Sequence, residues 1–288
     1  MSRNKQRTAA KNVDATAATT AATAEATPVP ATLSYVAPTE FVELPSRGKF
    51  YSADHPLHNK EVIEMRYMTA KDEDILTSPA LLRNGMAIDR LIENLIVDKN
   101  IRVKELLLGD KNAVILAARV SGYGEDYAVT VTCPNCEATI EHTFNLSEIP
   151  HETGVLPEDD NESIYLTEEG TFIATLPKSQ YDAEFKLLNG DDEDYLEKVA
   201  LKTKKLNLPE ASATNLLKRL VISINGVNVP SEIANFIDNM PAQDARFLRA
   251  CVQTVTPNVD MTQEVECSSC GTTSEMAVPF TSEFFWPN

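Results

Sequence analysis

Apolar residues recur along this chain with two distinct periods. In Glu61-Val-Ile-Glu-Met-Arg-Tyr67 they alternate, which predicts a strand with one buried face. The preceding run, Phe41 to Pro45 and Ser46 to Tyr51, reads as extended chain, with Gly48 supplying a turn. Thr69 and Asp72 have the spacing of a weak capping box, and Ser78-Pro79 is a second helix-start signal. Ile88, Leu91, Ile92, Leu95 and Ile96 then follow the i, i+3, i+4, i+7, i+8 pattern of an amphipathic helix. Lys104 to Leu108 predicts a helical turn ended by Gly109. Asp110 caps a further helix carrying Ala113, Leu116, Ala117 and Val120, and Gly122-Tyr-Gly124 stops it. Tyr127-Ala-Val-Thr-Val131 and Ala138 to Phe144 alternate on either side of Cys133-Pro-Asn-Cys136, giving strand, turn, strand.

Residues 150–163 are acidic and polar and read as a linker or surface loop. A hairpin follows, with Ile164 to Leu166 and Thr171 to Leu176 around Glu-Glu-Gly170. Tyr181, Phe185 and Leu188 share one helical face, predicting a helix over 178–188, and Asn189 to Asp194 reads as an acidic loop without calcium-loop spacing. Leu216, Leu217, Leu220 and Val221 predict a helix, and Asn225-Gly226 within Val221 to Val229 predicts a two-residue hairpin. Ser231 is placed to cap the run ending at Ile237. Pro241 opens a helix bearing Phe247, Leu248, Cys251, Val252 and Val255, which Pro257 ends. Gln263 to Glu266 and Thr273 to Phe280 then flank Cys267-Ser-Ser-Cys270 as a second ribbon.

The order of these elements repeats. Leu95 to Val103 parallels Leu220 to Val229, Asp110 to Val120 parallels Ala242 to Val252, and both series end in Val-x-Cys-x2-Cys. The expected fold is therefore α+β, with two related helix-plus-β-ribbon halves produced by internal duplication. The expected organisation is a disordered Ala/Thr-rich tail with a basic start over 1–35, a first half over 36–150, and an acidic linker with a hairpin and helix insertion over 151–213. A second half over 214–288 ends in an aromatic C-terminus.

The repeated cysteine pairs carry the chemistry. A C-x2-C turn at a hairpin tip presents two thiolates, half of a tetrahedral zinc site. Two such turns predict one structural zinc ion held by Cys133, Cys136, Cys267 and Cys270. A redox dithiol normally sits at a helix start that lowers its pKa, and neither pair does. Cys251 lies in an apolar helical stripe and reads as core. The histidines (His55, His58, His142 and His151) fall in no catalytic or zinc-hydrolase motif, and the carboxylates sit in solvated runs, so no active site is expected.

A net charge of −17 disfavours nonspecific binding to nucleic acid or anionic membrane. Glu137, Glu141, Glu264, Glu266 and Glu275 surround the knuckles, which weakens the alternative of a zinc-ribbon module acting on nucleic acid or in transcription. No stretch approaches the ~18 apolar residues of a membrane span, and residues 1–30 lack a signal-peptide core, so a reducing cytoplasm is expected.

Several runs carry a resemblance to a known family. Leu44-Pro-Ser-Arg-Gly-Lys-Phe-Tyr51, Arg66-Tyr-Met-Thr-Ala-Lys-Asp-Glu-Asp-Ile-Leu76, Gly109-Asp-Lys-Asn112, Ser121-Gly-Tyr-Gly124, Cys133-Pro-Asn-Cys136 and the closing Phe284-Phe-Trp-Pro287 resemble the T4-like phage baseplate protein family, the baseplate hub assembly chaperones. The likeness covers about residues 40–288. It implies a non-enzymatic protein that helps build or form the hub of a contractile tail. Its partners would be phage baseplate hub and tail proteins, including those associated with the tail lysozyme. Its place would be the host cytoplasm during assembly or the virion tail, and no catalytic residues carry over.

Overall fold

The computed structural model describes residues 36–154, 164–206, 211–279 and 284–285. The expected tail over 1–35, most of the acidic linker after Pro150 and the closing Trp286-Pro287 lie outside the described residues.

The described chain opens with strands β1 (Thr39–Glu43) and β2 (Val62–Arg66), paired antiparallel from Thr39 opposite Arg66 to Glu43 opposite Val62. Three helices follow: α1 (Ala70–Leu76), α2 (Pro79–Arg83) and α3 (Ala87–Leu95). Helix α3 buries Leu91, Ile92 and Leu95, the stripe its periodicity predicts. A 3-10 turn at Val103–Glu105 leads into α4 (Leu108–Tyr123). The sequence places Gly109 at the end of a helical turn, but it lies inside α4. A Cβ there would stand 2.0 Å from the Pro257 carbonyl oxygen, so glycine permits the close approach of the two segments. The ribbon β3 (Asp126–Thr132) and β4 (Thr139–Asn145) follows, burying Tyr127, Val129 and Val131 on one face.

After the short strand β5 (His151–Glu152), β6 (Ile164–Leu166), β7 (Phe172–Thr175) and β8 (Asp182–Phe185) form consecutive antiparallel neighbours. The helix expected over 178–188 is thus a turn and a strand. Alternation buries Ala183 and Phe185 in β8, and pairing on both sides outweighs the helical spacing of Tyr181, Phe185 and Leu188. The supposed acidic loop is the start of α5 (Gly190–Lys205). Asn189 and Asp192 form a capping box there, and Asp191, Asp192 and Glu193 place negative charge at the positive end of the helix dipole.

Helix α6 (Ser212–Leu220) runs directly into β9 (Val221–Ile224), which closes the sheet in the order β6-β7-β8-β9. Helix α7 (Pro230–Asn239) follows, with Pro230 as its first residue and Ser231 inside it rather than at its cap. Then come α8 (Ala242–Val255), β10 (Asn258–Val259), and the second ribbon, β11 (Thr262–Glu266) and β12 (Thr273–Ala277). Strand β10 pairs with β5. One hydrophobic cluster joins Leu44, Leu95, Leu116 and Phe144 to Phe172, Phe185, Leu217 and Val255.

Two pairs of aspartates accept similar hydrogen bonds at the third position of their helices. Arg66 bonds Asp72 at 2.7 and 2.9 Å, and Lys186 bonds Asp192 at 2.9 and 2.7 Å. Each aspartate is the third residue of its helix and sits in a capping box, with Thr69 and Asn189 as the N-caps. Asn94 near the end of α3 reaches Asp72, as Arg219 near the end of α6 reaches Asp192. Asp110, third in α4, accepts from the Ser46 amide at 2.9 Å just after Leu44-Pro45. Asp244, third in α8, accepts from the Lys178 amide at 2.7 Å and the Ser179 amide at 3.0 Å just after Leu176-Pro177.

Candidate metal centre

Each ribbon turn is built the same way. The Cys133 amide donates to the Ala138 carbonyl at 2.9 Å, and the Glu137 amide to the Cys133 carbonyl at 3.0 Å. In the second turn the Cys267 amide donates to Thr272 at 3.0 Å and the Gly271 amide to Cys267 at 2.8 Å. Glu137 has a φ of 58° and Gly271 a φ of 69°, so both turns require a left-handed residue one position past their second cysteine. The chain meets that requirement with glycine once and tolerates glutamate once.

The four sulfurs converge. Cys133 Sγ lies 3.9 Å from Cys270 Sγ, Cys136 Sγ lies 3.7 Å from Cys267 Sγ, and all four lie within 4.8 Å of one another. Four thiolates at about 2.3 Å from one zinc ion in a tetrahedron would stand about 3.8 Å apart. The two cross-ribbon distances bracket that value, so the donor set fits zinc in number, element and spacing. All four are free cysteines; Cys133 and Cys267 are buried, while Cys136 and Cys270 are exposed at the tips.

The surroundings act unequally on the thiols. The amides of Cys136 and Asn135 lower the Cys133 pKa. Cys270 is held down to about 6, chiefly by hydrogen bonds from the Thr272 side chain and amide and from Asn135. The Cys136 thiol is pushed up to about 11; the Ala138 amide opposes this, but the neighbouring sulfurs, Cys270 first, outweigh it. The group as a whole thus carries unequal thiols, as expected where one proton-deficient sulfur stabilises protons on its neighbours. A cation among them would remove that competition.

Sequence reasoning did not find Asn135 and Thr272. Asn135 Nδ2 points at Cys270 Sγ at 3.7 Å and donates to Thr272 Oγ1 at 3.2 Å, tying one turn to the other. Their only signal was position, between or just after the cysteines. His142 does not join the cluster; it is half-buried and packs edge-on against Phe144 at 4.7 Å. Cys251 is buried in the core, where desolvation raises its thiol to about 11. Away from the turns, the ribbons are joined by Gln263, whose side chain bonds both the amide and the carbonyl of Asn145, at 3.3 and 2.6 Å. Among the described residues no helix is long and apolar enough to cross a membrane.

A family model described as T4 bacteriophage base plate protein matches residues 37–286. The chain belongs to that family, and it is a bacteriophage baseplate protein. No curated protein and no solved structure matched it.

Proposed function

We propose that the chain is a non-enzymatic hub assembly protein of the phage baseplate, acting as a chaperone or as a structural hub subunit by binding other tail proteins. Membership of the baseplate family over residues 37–286 carries this reading. We further propose that Cys133, Cys136, Cys267 and Cys270 hold one structural zinc ion, whose role is to clamp the two ribbons. The 3.7 and 3.9 Å sulfur separations support it. The matched Asp72 and Asp192 sites, the matched Asp110 and Asp244 sites and the two knuckles favour an internal duplication. That duplication would start its second copy at about residue 171, earlier than the second half beginning at 214 that the sequence predicts.

The chain would act in the host cytoplasm during assembly or remain in the virion. Tagged protein isolated from infected cells is expected to bring baseplate and tail proteins with it, and the purified chain to carry one zinc ion. Recovery of no tail protein would refute the assembly role; a chain without zinc would refute the clamp.

A further inference from the structure

The edge strand β1 stands out when the two hairpins that lead into Leu-Pro are compared. The Leu44 amide donates to Glu61 and the Tyr67 amide to Pro38. In this antiparallel register Pro38, Glu40, Val42 and Leu44 bond β2, and Thr39, Phe41 and Glu43 turn their backbone groups outward. Among the described residues no strand pairs with that outward edge. In the second hairpin the Leu176 amide donates to Tyr181, so Ile173 of β7 faces outward in the same way. There β6 covers the edge, with Tyr165 opposite Ile173 and Leu166 opposite Phe172. Counting back from Leu-Pro places Phe41 where Ile173 stands.

Phe41 is 68% exposed, large and apolar at the centre of an open strand edge. Edge strands are normally blunted by charge, proline or a cover, because unpaired backbone groups template another strand. Around Phe41 the ribbon is acidic: Glu64 lies opposite it, Glu43 follows on the same face, and Glu61 precedes β2. Arg66, on that face, is engaged by Asp72.

We propose that β1 is a strand-addition site that accepts an extended segment of another tail protein, antiparallel, as β6 is accepted by β7. The segment places an aromatic or β-branched residue opposite Phe41 and a lysine or arginine opposite Glu43. The proposal deepens the assembly role above and rests on it for the identity of the partner, but not for the chemistry of the edge.

The probe is a synthetic peptide, Lys-Ile-Tyr-Leu-Thr, patterned on β6 with lysine at the position that meets Glu43. Titrated into isotope-labelled full-length protein, it is expected to shift the amides of Thr39, Phe41 and Glu43 saturably, with a Kd of ~0.1–1 mM, reasonable for so short a strand. Phe41→Pro removes an outward donor while leaving the bonds to β2, so it should keep the thermal transition and abolish the shifts of the Thr39 and Glu43 amides. Glu43→Lys should reverse the preference towards a peptide headed by glutamate. The proposal is overturned if the three amides are already protected from exchange in the free chain, which would mean the chain covers its own edge. It is equally overturned if their protection rises with protein concentration, which would mean a second copy, or if the peptide shifts residues elsewhere or none. Wild type and Phe41→Pro capturing the same tail proteins from infected cells would sink the edge site alone; neither capturing any would sink the assembly role.

Discussion

Cys133 Sγ stands 3.9 Å from Cys270 Sγ, and exchanging the two knuckles carries that pair onto Cys267 and Cys136 at 3.7 Å. Such a relation is what a local twofold through the centre of the sulfur cluster produces. It also sets the energetic stake. The partners of the second pair are 131 residues apart in sequence, so a shared ion closes a long loop as well as satisfying four thiolates. Cys136→Ser or Cys267→Ser is therefore expected to lose the ion and several kcal/mol of stability. Metal analysis with thermal unfolding, before and after chelation, checks this. Chelation should lower the transition of the wild type and leave either variant unmoved.

Asp72 offers a pH-dependent test. Its carboxylate is completely buried; desolvation would raise its pKa, but hydrogen bonds from Arg66, Thr69 and Asn94 outweigh that and bring it to about 2, from 3.8. A depressed folded pKa means the contribution to stability is complete above the unfolded value near 3.8 and is lost as pH falls through about 2. Asp72→Asn should destabilise by roughly 2–4 kcal/mol at neutral pH, because it leaves Arg66 without its charge partner. Urea unfolding at pH 7, 4 and 2.5 should show the difference between wild type and variant narrowing over the acidic range. A constant difference would contradict the assignment.

The knuckle turns make opposite predictions for one kind of change. Gly271 adopts a φ of 69° with open space where a Cβ would go, so Gly271→Ala meets only backbone strain, about 1 kcal/mol. Glu137 already bears that strain at 58°, and Glu137→Gly should relieve it, offset in part by the entropy of a new glycine. The net effect should be neutral to stabilising, within about 1 kcal/mol. Chemical denaturation of the metal-loaded proteins separates the two signs.

The helices and ribbons carrying the cysteines were legible because each buries one face against one core, so period alone identified them. Helix α3 and strand β3 are examples, with Leu91, Ile92 and Leu95 buried in one and Tyr127, Val129 and Val131 in the other. The segment from Lys178 to Asp194 was misread for a different reason. Tyr181, Phe185 and Leu188 have helical spacing, but Phe185 is held by partners on both sides, Phe172 and Val221, which lie elsewhere in the chain. The acidic run after it did carry a legible signal. Asn189 with Asp192 is a capping pair, and Lys202, Lys204 and Lys205 complement the far end of the helix. Charge density there reads as a solvated loop only when the cap is overlooked. The matched aspartates were invisible for a third reason. Asp110 and Asp244 are defined by the amides they accept, and those amides lie 64 and 66 residues earlier in the chain.

Phe284 is tied to the first ribbon by a buried cation. Arg119 is fully buried in α4, and among the described residues no carboxylate pairs with it. It donates to the carbonyls of Gly124 and Asp126, at 2.6 and 3.1 Å, and its guanidinium lies 5.6, 5.8 and 5.9 Å from the ring centres of Tyr123, Tyr127 and Phe284. Burial lowers the Arg119 pKa, yet a guanidinium remains charged at any ordinary pH, so the rings and carbonyls must stabilise that charge. Phe284 also meets Tyr127 edge-on at 5.3 Å. Phe284→Ala removes both a buried ring and one face of the cation's enclosure, and about 3–5 kcal/mol of destabilisation is expected. Phe284→Leu restores most of the volume but not the ring, and should recover only part of it. If the aromatic face matters, either change combined with Arg119→Met should cost less than the sum of the separate effects. Strict additivity in a double-mutant cycle would reduce Phe284 to a space-filling residue.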